Sequence, residues 1–318
     1  MNAEHRKIEI FQPFGDAFEW MKRVLFRPFD LKKWLVLGFA AFIGGNWGGF
    51  GVGNFNPDAF KNASADNVRP HFHMADLGPW GTAALVVAIV LVVVLALVLT
   101  WVICRGRFVF ADCVVKNRAA IVDPWHEFRH EGNSFFLFTL AVGFVSVLII
   151  ALLALVILVP FGIFTHNRAH GGLGVGGATA IGCVMLLWFL FAIFFTVVTQ
   201  FMVPVMYRQR CRATAAFVEV ARLVMNHLGV FVLLILFSFV LFLAFVLISV
   251  TITCATCCGG ALPYISSVLL LPVLVCLAAF KLFFLRQFGN DYDVWNGMPP
   301  SLEPEPPPLP PVPPATLA

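Results

Sequence analysis

Residues 124–136 read PWHEFRHEGNSFF, and within them His126, Glu127 and His130 fit the pattern His-Glu-x-x-His. On one helical face, two imidazoles a turn apart can hold zinc while the glutamate between them acts as general base. Such a site also needs a third ligand and an open position for water. Asp123 as N-cap, Pro124 in the first turn and Gly132 as a stop predict a helix of about two turns. Trp125 and Phe128 would turn to the membrane, with His126 and His130 beside them. The extended signature wants Gly three residues past the second His and another His three further on; Asn133 and Phe136 stand there. The intramembrane form buries the motif in a span and borrows an acid from another, and no apolar run here carries one. Asp112, Glu219 or Asp293 could add a ligand only by folding beneath it. The plainer reading is an anchoring helix at the membrane surface, and a metalloprotease is the most distant of the readings kept open.

Two further groups could do chemistry. Cys254, Cys257 and Cys258 form a tight thiol patch, and His71, His73, His166 and His170 lie in segments predicted on the same side. Soft thiolates with imidazoles could bind zinc or copper, or two cysteines could pair in an oxidising compartment. The alternative is that each Cys packs as a small apolar residue. Gln200, with Thr196, Thr199 and Pro204 nearby, is the conspicuous polar group at membrane depth, where such groups mark pathways or join helices. No phosphate-cradling glycine loop and no Ser-centred nucleophile elbow occurs, and no cofactor is expected.

The elements that position these residues are set by composition. Of 318 residues, 60% are apolar and only 12% charged, with 35 Phe; soluble domains carry about a quarter charged residues. Uncharged runs at 83–104, 134–165, 173–207 and 228–280 exceed the roughly 18 residues that mark a span. The first 33 residues are charged and amphipathic, unlike a signal peptide. The expectation is an all-α, polytopic membrane bundle: an amphipathic cytoplasmic segment at 1–32, a membrane domain at 33–285, and a Pro-rich disordered tail at 286–318. Six spans are placed at about 33–50, 80–104, 134–164, 178–207, 228–253 and 264–285. Of the 21 Lys and Arg, 18 fall in or beside alternate connections and only Lys61, Arg69 and Arg168 on the other side. By the positive-inside rule both termini are cytoplasmic.

The cytoplasmic segments repeat a pattern. Ile10, Phe14, Phe18, Met21 and Leu25 step along one helical face, Pro13 suits a first turn and Pro28 a stop. Ala17-Phe18-Glu19-Trp20, Pro124-Trp125-His126-Glu127 and Ala216-Phe217-Val218-Glu219 stand ahead of the first, third and fifth spans. This predicts three units, each an interfacial helix followed by a helical hairpin with a Gly-rich tip, although any bundle has basic inner loops and glycine turns. Ten of the last twenty residues are Pro, which predicts an extended rod that is solvated or docks on a protein partner.

Phe26-Arg27-Pro28-Phe29-Asp30-Leu31-Lys32-Lys33-Trp34 entering the first span, Arg105-Gly106-Arg107-Phe108-Val109-Phe110-Ala111-Asp112 leaving the second, Val122-Asp123-Pro124-Trp125, Phe201-Met202-Val203-Pro204 and Phe284-Leu285-Arg286-Gln287-Phe288-Gly289 carry a resemblance. Together they resemble a family of uncharacterised prokaryotic six-span membrane proteins. More loosely, they are similar to the membrane domain of some glycerophosphoryl diester phosphodiesterases. The resemblance covers the chain to Asp293 and implies a six-helix inner-membrane fold with no catalytic residue.

The functional expectation is a non-enzymatic inner-membrane scaffold or modulator. Arg105, Arg107, Lys116 and Arg118 below the second span, and Arg208, Arg210 and Arg212 below the fourth, are placed to meet anionic phospholipid, each cation contributing about 1 kcal/mol near such a surface. The same charges could do no more than set topology. A transporter or channel is the alternative, and nothing suggests nucleic acid as a partner.

Overall fold

The computed structural model describes residues 9–45, 79–166, 175–255 and 263–299. Among them all regular structure is helical. In chain order the helices are α1 (Phe11–Phe26), α2 (Leu31–Ile43), α3 (Pro79–Val115), α4 (Val122–Glu127), α5 (Arg129–His166), α6 (Val175–Gln209), α7 (Ala213–Asn226), α8 (Leu228–Ala255), α9 (Pro263–Leu269) and α10 (Leu271–Arg286).

Local sequence sets the boundaries. Arg27 is extended at the end of α1, as a residue before proline must be. Asp30 then opens α2, its carboxylate accepting from the Lys32 amide at 2.9 Å. α3, α5, α6 and α8 hold four segments long and apolar enough to cross a membrane: Ala83–Val115, Arg129–Leu152, Met185–Gln209 and Leu228–Ile252. The short helices α4 and α7 each stand directly ahead of a longer one, α5 and α8, whereas α1, with 16 residues, precedes the shorter α2. α1 and α7 are amphipathic, burying Ala17, Trp20, Val24 and Leu25, and Ala213, Ala216, Val220 and Val224.

Two of the six expected spans look different. α2 has 13 residues, about 20 Å at 1.5 Å per residue, which is short of the ~20 residues a span needs; residues 46–50 lie outside the described chain. The stretch expected to be one helix over 264–285 is broken at Leu270 into α9 and α10. Pro272 in the first turn of α10 has no amide to continue the ladder.

Buried side chains gather at one end of the bundle, where α1, α2, α7 and α10 pack around the final turns of α3 and α6 and the start of α5. Aromatic rings bridge the elements: Phe14 and Phe237 lie 5.6 Å apart, Phe201 and Phe231 5.8 Å, and Phe231 and Phe284 5.7 Å. Two glycines permit close approach. A Cβ at Gly38 would fall 2.5 Å from Val268 Cγ2, and one at Gly106 would fall 2.5 Å from the Ile43 backbone.

The ordered chain also runs past residue 286, where a disordered tail was expected to begin. Turns carry it to Trp295, which is fully buried, stacks on Phe283 at 4.7 Å and donates through Nε1 to the Val115 carbonyl at 3.3 Å. Trp20 lies edge-on to it at 5.5 Å and donates to the Val114 carbonyl. Asp293 fixes the turn by accepting from the Trp295 amide and by pairing with Arg286 at 2.9 Å. The proline-rich residues 300–318 lie outside the described chain.

Candidate functional site

The His-Glu-x-x-His residues do not share a helix. α4 ends at Glu127, Phe128 turns the chain with its amide bonded to the Pro124 carbonyl, and α5 opens at Arg129. His126 and His130 therefore sit on opposite sides of a break and are both exposed. Ile121 takes the N-cap position without a side-chain cap, and Asp123 falls in the first turn. The break falls at Phe128. It is buried instead of facing the membrane, stacked on Tyr207 at 4.8 Å and on Phe108 at 6.0 Å.

Glu127, the expected base, is held by cations. It bonds to Arg210, with Lys116 at 3.5 Å and Arg118 at 4.0 Å. Among the described residues no three His, Cys, Asp or Glu side chains converge to hold a metal ion. Cys254 is exposed at the end of α8. Cys257, Cys258, His71, His73 and His170 lie outside the described residues, as does the side chain of His166, the last residue of α5.

The structure instead builds an ionic hub around Asp112, which is 0% exposed. Lys116 reaches its Oδ1 at 2.7 Å, and Arg118 reaches Oδ2 through Nη2 at 2.8 Å and Nε at 3.0 Å. The Tyr207 hydroxyl donates to Oδ1 at 2.9 Å. Lys116 follows Asp112 by four residues, one helical turn, and Arg118 folds back from the connection. Burial alone would lower the Arg118 pKa, but the Asp112 bond and the fields of Asp112, Asp123 and Glu127 raise it on balance. Arg210 spans Glu127 and Glu131, with Glu131 Oε1 at 3.6 Å, and its guanidinium lies 3.9 Å over the Phe128 ring. Ser134 caps α7 by accepting from the Ala213 amide. The hub ties α3, α4, α5 and α6 together at the basic end. Burial pushes the Cys211 thiol up, aided by Glu219, which leaves it a poor nucleophile.

The seven cations expected at lipid phosphates thus divide. Lys116, Arg118 and Arg210 are paired with carboxylates. Arg105 stacks on Trp101 at 4.6 Å and Trp125 at 5.3 Å, and bonds Asn133 at 3.1 Å, a tryptophan cage suited to the headgroup level. Arg107 is exposed near the Phe135 ring, and Arg208 and Arg212 have no carboxylate partner among the described residues. Gln200 is exposed and lines a groove between α6, α8 and α10.

A family model matches residues 8–294. The chain belongs to DUF7544, a family of unknown function. No curated protein and no solved structure matches it, and the match carries no link to glycerophosphoryl diester phosphodiesterases. The DUF7544 region stops just short of Trp295, so it contains the whole hub and most of the C-terminal turn. Sequence reasoning did not foresee that hub. Asp112 was the available signal: it lies beside a long uncharged run, one turn ahead of a lysine.

Proposed function

We propose that this DUF7544 chain is a multi-pass, non-enzymatic protein of a bacterial-type inner membrane that scaffolds or modulates the bilayer by holding anionic lipid at its basic face. The observation that carries this reading is the contrast between the long uncharged stretches of four helices, lipid-facing by composition, and one packed end where the arginines and lysines collect. Arg105 in its tryptophan cage, Arg107, Arg208 and Arg212 meet headgroup phosphates, while the paired cations hold the helices together. Six crossings in three hairpins remain the reading for the membrane domain, with both termini cytoplasmic. The packing of α2 on α3 and of α5 on α6 supports two of these pairs. The proline-rich end offers a site for a protein partner.

Vesicle flotation tests the central claim. Purified protein in vesicles containing phosphatidylglycerol should hold an anionic annulus that weakens in an Arg208→Gln, Arg212→Gln double variant; equal lipid composition around both proteins sinks the idea. Cysteines introduced at Lys116 and Arg210 should be labelled from the same side, and opposite sides would remove the topology. Stoichiometric zinc lost on His126→Ala would remove the non-enzymatic reading. Transport is the second reading, favoured by Gln200 and Thr196 lining the groove between α6, α8 and α10; solute flux above background in liposomes would promote it.

A further inference from the structure

The groove between α6, α8 and α10 has two unlike ends. Its body is apolar, lined by Phe201, Leu234, Phe242 and Phe245, and encloses about 920 Å³. That is within the range of sites that bury a sizeable small molecule, about 300–1,000 Å³. Phe239 and Phe242 on its rim are exposed to the surroundings, so an occupant enters sideways from the bilayer. Lys281 of α10 lines the same groove. Lys281 forms no ion pair among the described residues. Gln200, also on the lining, has no hydrogen-bond partner there. An ammonium without an anion and an unpaired amide in an apolar groove are each costly. One ligand relieves both: an anion at Lys281, ester carbonyls for Gln200, and hydrocarbon along the phenylalanines.

We propose that this groove is a binding site for one anionic glycerophospholipid, its phosphate held by Lys281, its ester region by Gln200 and an acyl chain by the wall of α6 and α8. The site deepens the membrane-scaffold reading and rests on it. It differs from the surface charges there, because it would hold a single lipid through detergent exchange.

The test is native mass spectrometry of the full chain released from nanodiscs of mixed phosphatidylcholine and phosphatidylglycerol. Wild type should retain one phosphatidylglycerol. Lys281→Gln should lower that retained fraction at least tenfold, and Leu241→Trp, which fills the groove without touching its charge, should do the same. Thermal unfolding identifies a variant that fails to fold, in which case the other decides. Equal retention in the folded variants, no retained phospholipid in wild type, or a retained fatty acid or second protein copy would each overturn the proposal. The Arg208→Gln, Arg212→Gln variant should lose its anionic annulus and keep the single lipid, so failure of one idea leaves the other standing.

Discussion

The two halves of α3 obey opposite rules. From Cys104 to Val115, Phe108, Cys113, Val114 and Val115 are buried against α1, α5, α6 and the C-terminal turn. From Val86 to Leu99 the large apolar side chains stand exposed, Val87 by 64% and Leu91 by 62%. The upper half is Val, Leu, Ile and Ala throughout, and the lower half mixes Val with Phe and Cys. The lower half also carries Arg105, Gly106, Arg107 and Asp112, which let other helices approach and lock, whereas the upper half offers a smooth aliphatic surface that stays exposed. Stability of the folded chain should therefore be concentrated at the basic end, and substitutions there should be felt far more than those along the shafts.

The largest effect is expected at the C-terminal knob. Trp295→Ala removes a fully buried indole wedged between Phe283 and Trp20, a change costing about 3–5 kcal/mol. Thermal unfolding in detergent should register a large drop, and an unchanged midpoint would show that the turn does not close the base. Asp112→Ala comes next. It leaves Lys116 and Arg118 without their nearest carboxylate, Glu127 standing farther off at 3.5 and 4.0 Å, and the Tyr207 hydroxyl without its acceptor. Breaking a buried pair costs about 3–5 kcal/mol, and the partly exposed cations place this one at the low end. Restoring an acid as Asp112→Glu should recover less than half of the loss, because the fork to Arg118 depends on reach.

The sign itself should reverse between two glycines. Gly106→Ala drives a methyl into the Ile43 backbone and should cost about 1–3 kcal/mol as overpacking. Gly143→Ala lies on the α5 shaft with nothing within 4 Å. There alanine should stabilise by up to about 1 kcal/mol through helix propensity. Equal responses at the two positions would erase the distinction between base and shaft.

How much of this was legible in the sequence follows the same division. The shafts were read well, because an uncharged run of Val, Leu and Ile long enough to cross a bilayer has little else to become. α1 was legible from apolar residues recurring at helical spacing, and α7 from the likeness of Ala216-Phe217-Val218-Glu219 to Ala17-Phe18-Glu19-Trp20. The base was not. Asp112 lies about a hundred residues from Tyr207 and Arg210, and nothing in spacing says that a tyrosine on one helix will meet an aspartate on another. The motif around His126, already set aside for an anchoring helix, assumes one continuous helix, and the chain turns at Phe128 instead. Trp295 was missed because the proline-rich composition after Met298 drew attention from the residues just before it.

The smallest expected effect lies on α1, at the edge of the base, and it is a matter of pH. Asp16 is half-buried, and that burial raises its pKa above the ordinary carboxylate value, with Arg286 pulling the other way. Between the ordinary value, about 3.9, and the raised one, the folded chain binds more protons at Asp16 than the unfolded chain does. Stability from this residue therefore falls as pH rises through that window and recovers as pH drops. Asp16→Asn removes the slope. The informative quantity is thus the difference between wild-type and Asp16→Asn midpoints, followed from neutral pH downward. Wild type should gain on the variant as the solution acidifies, by an amount small beside the loss at Asp112. Parallel profiles would mean that Asp16 is as well solvated as the outer face of α1, and that the packed base ends one turn sooner than its buried neighbours Ala17 and Trp20 suggest.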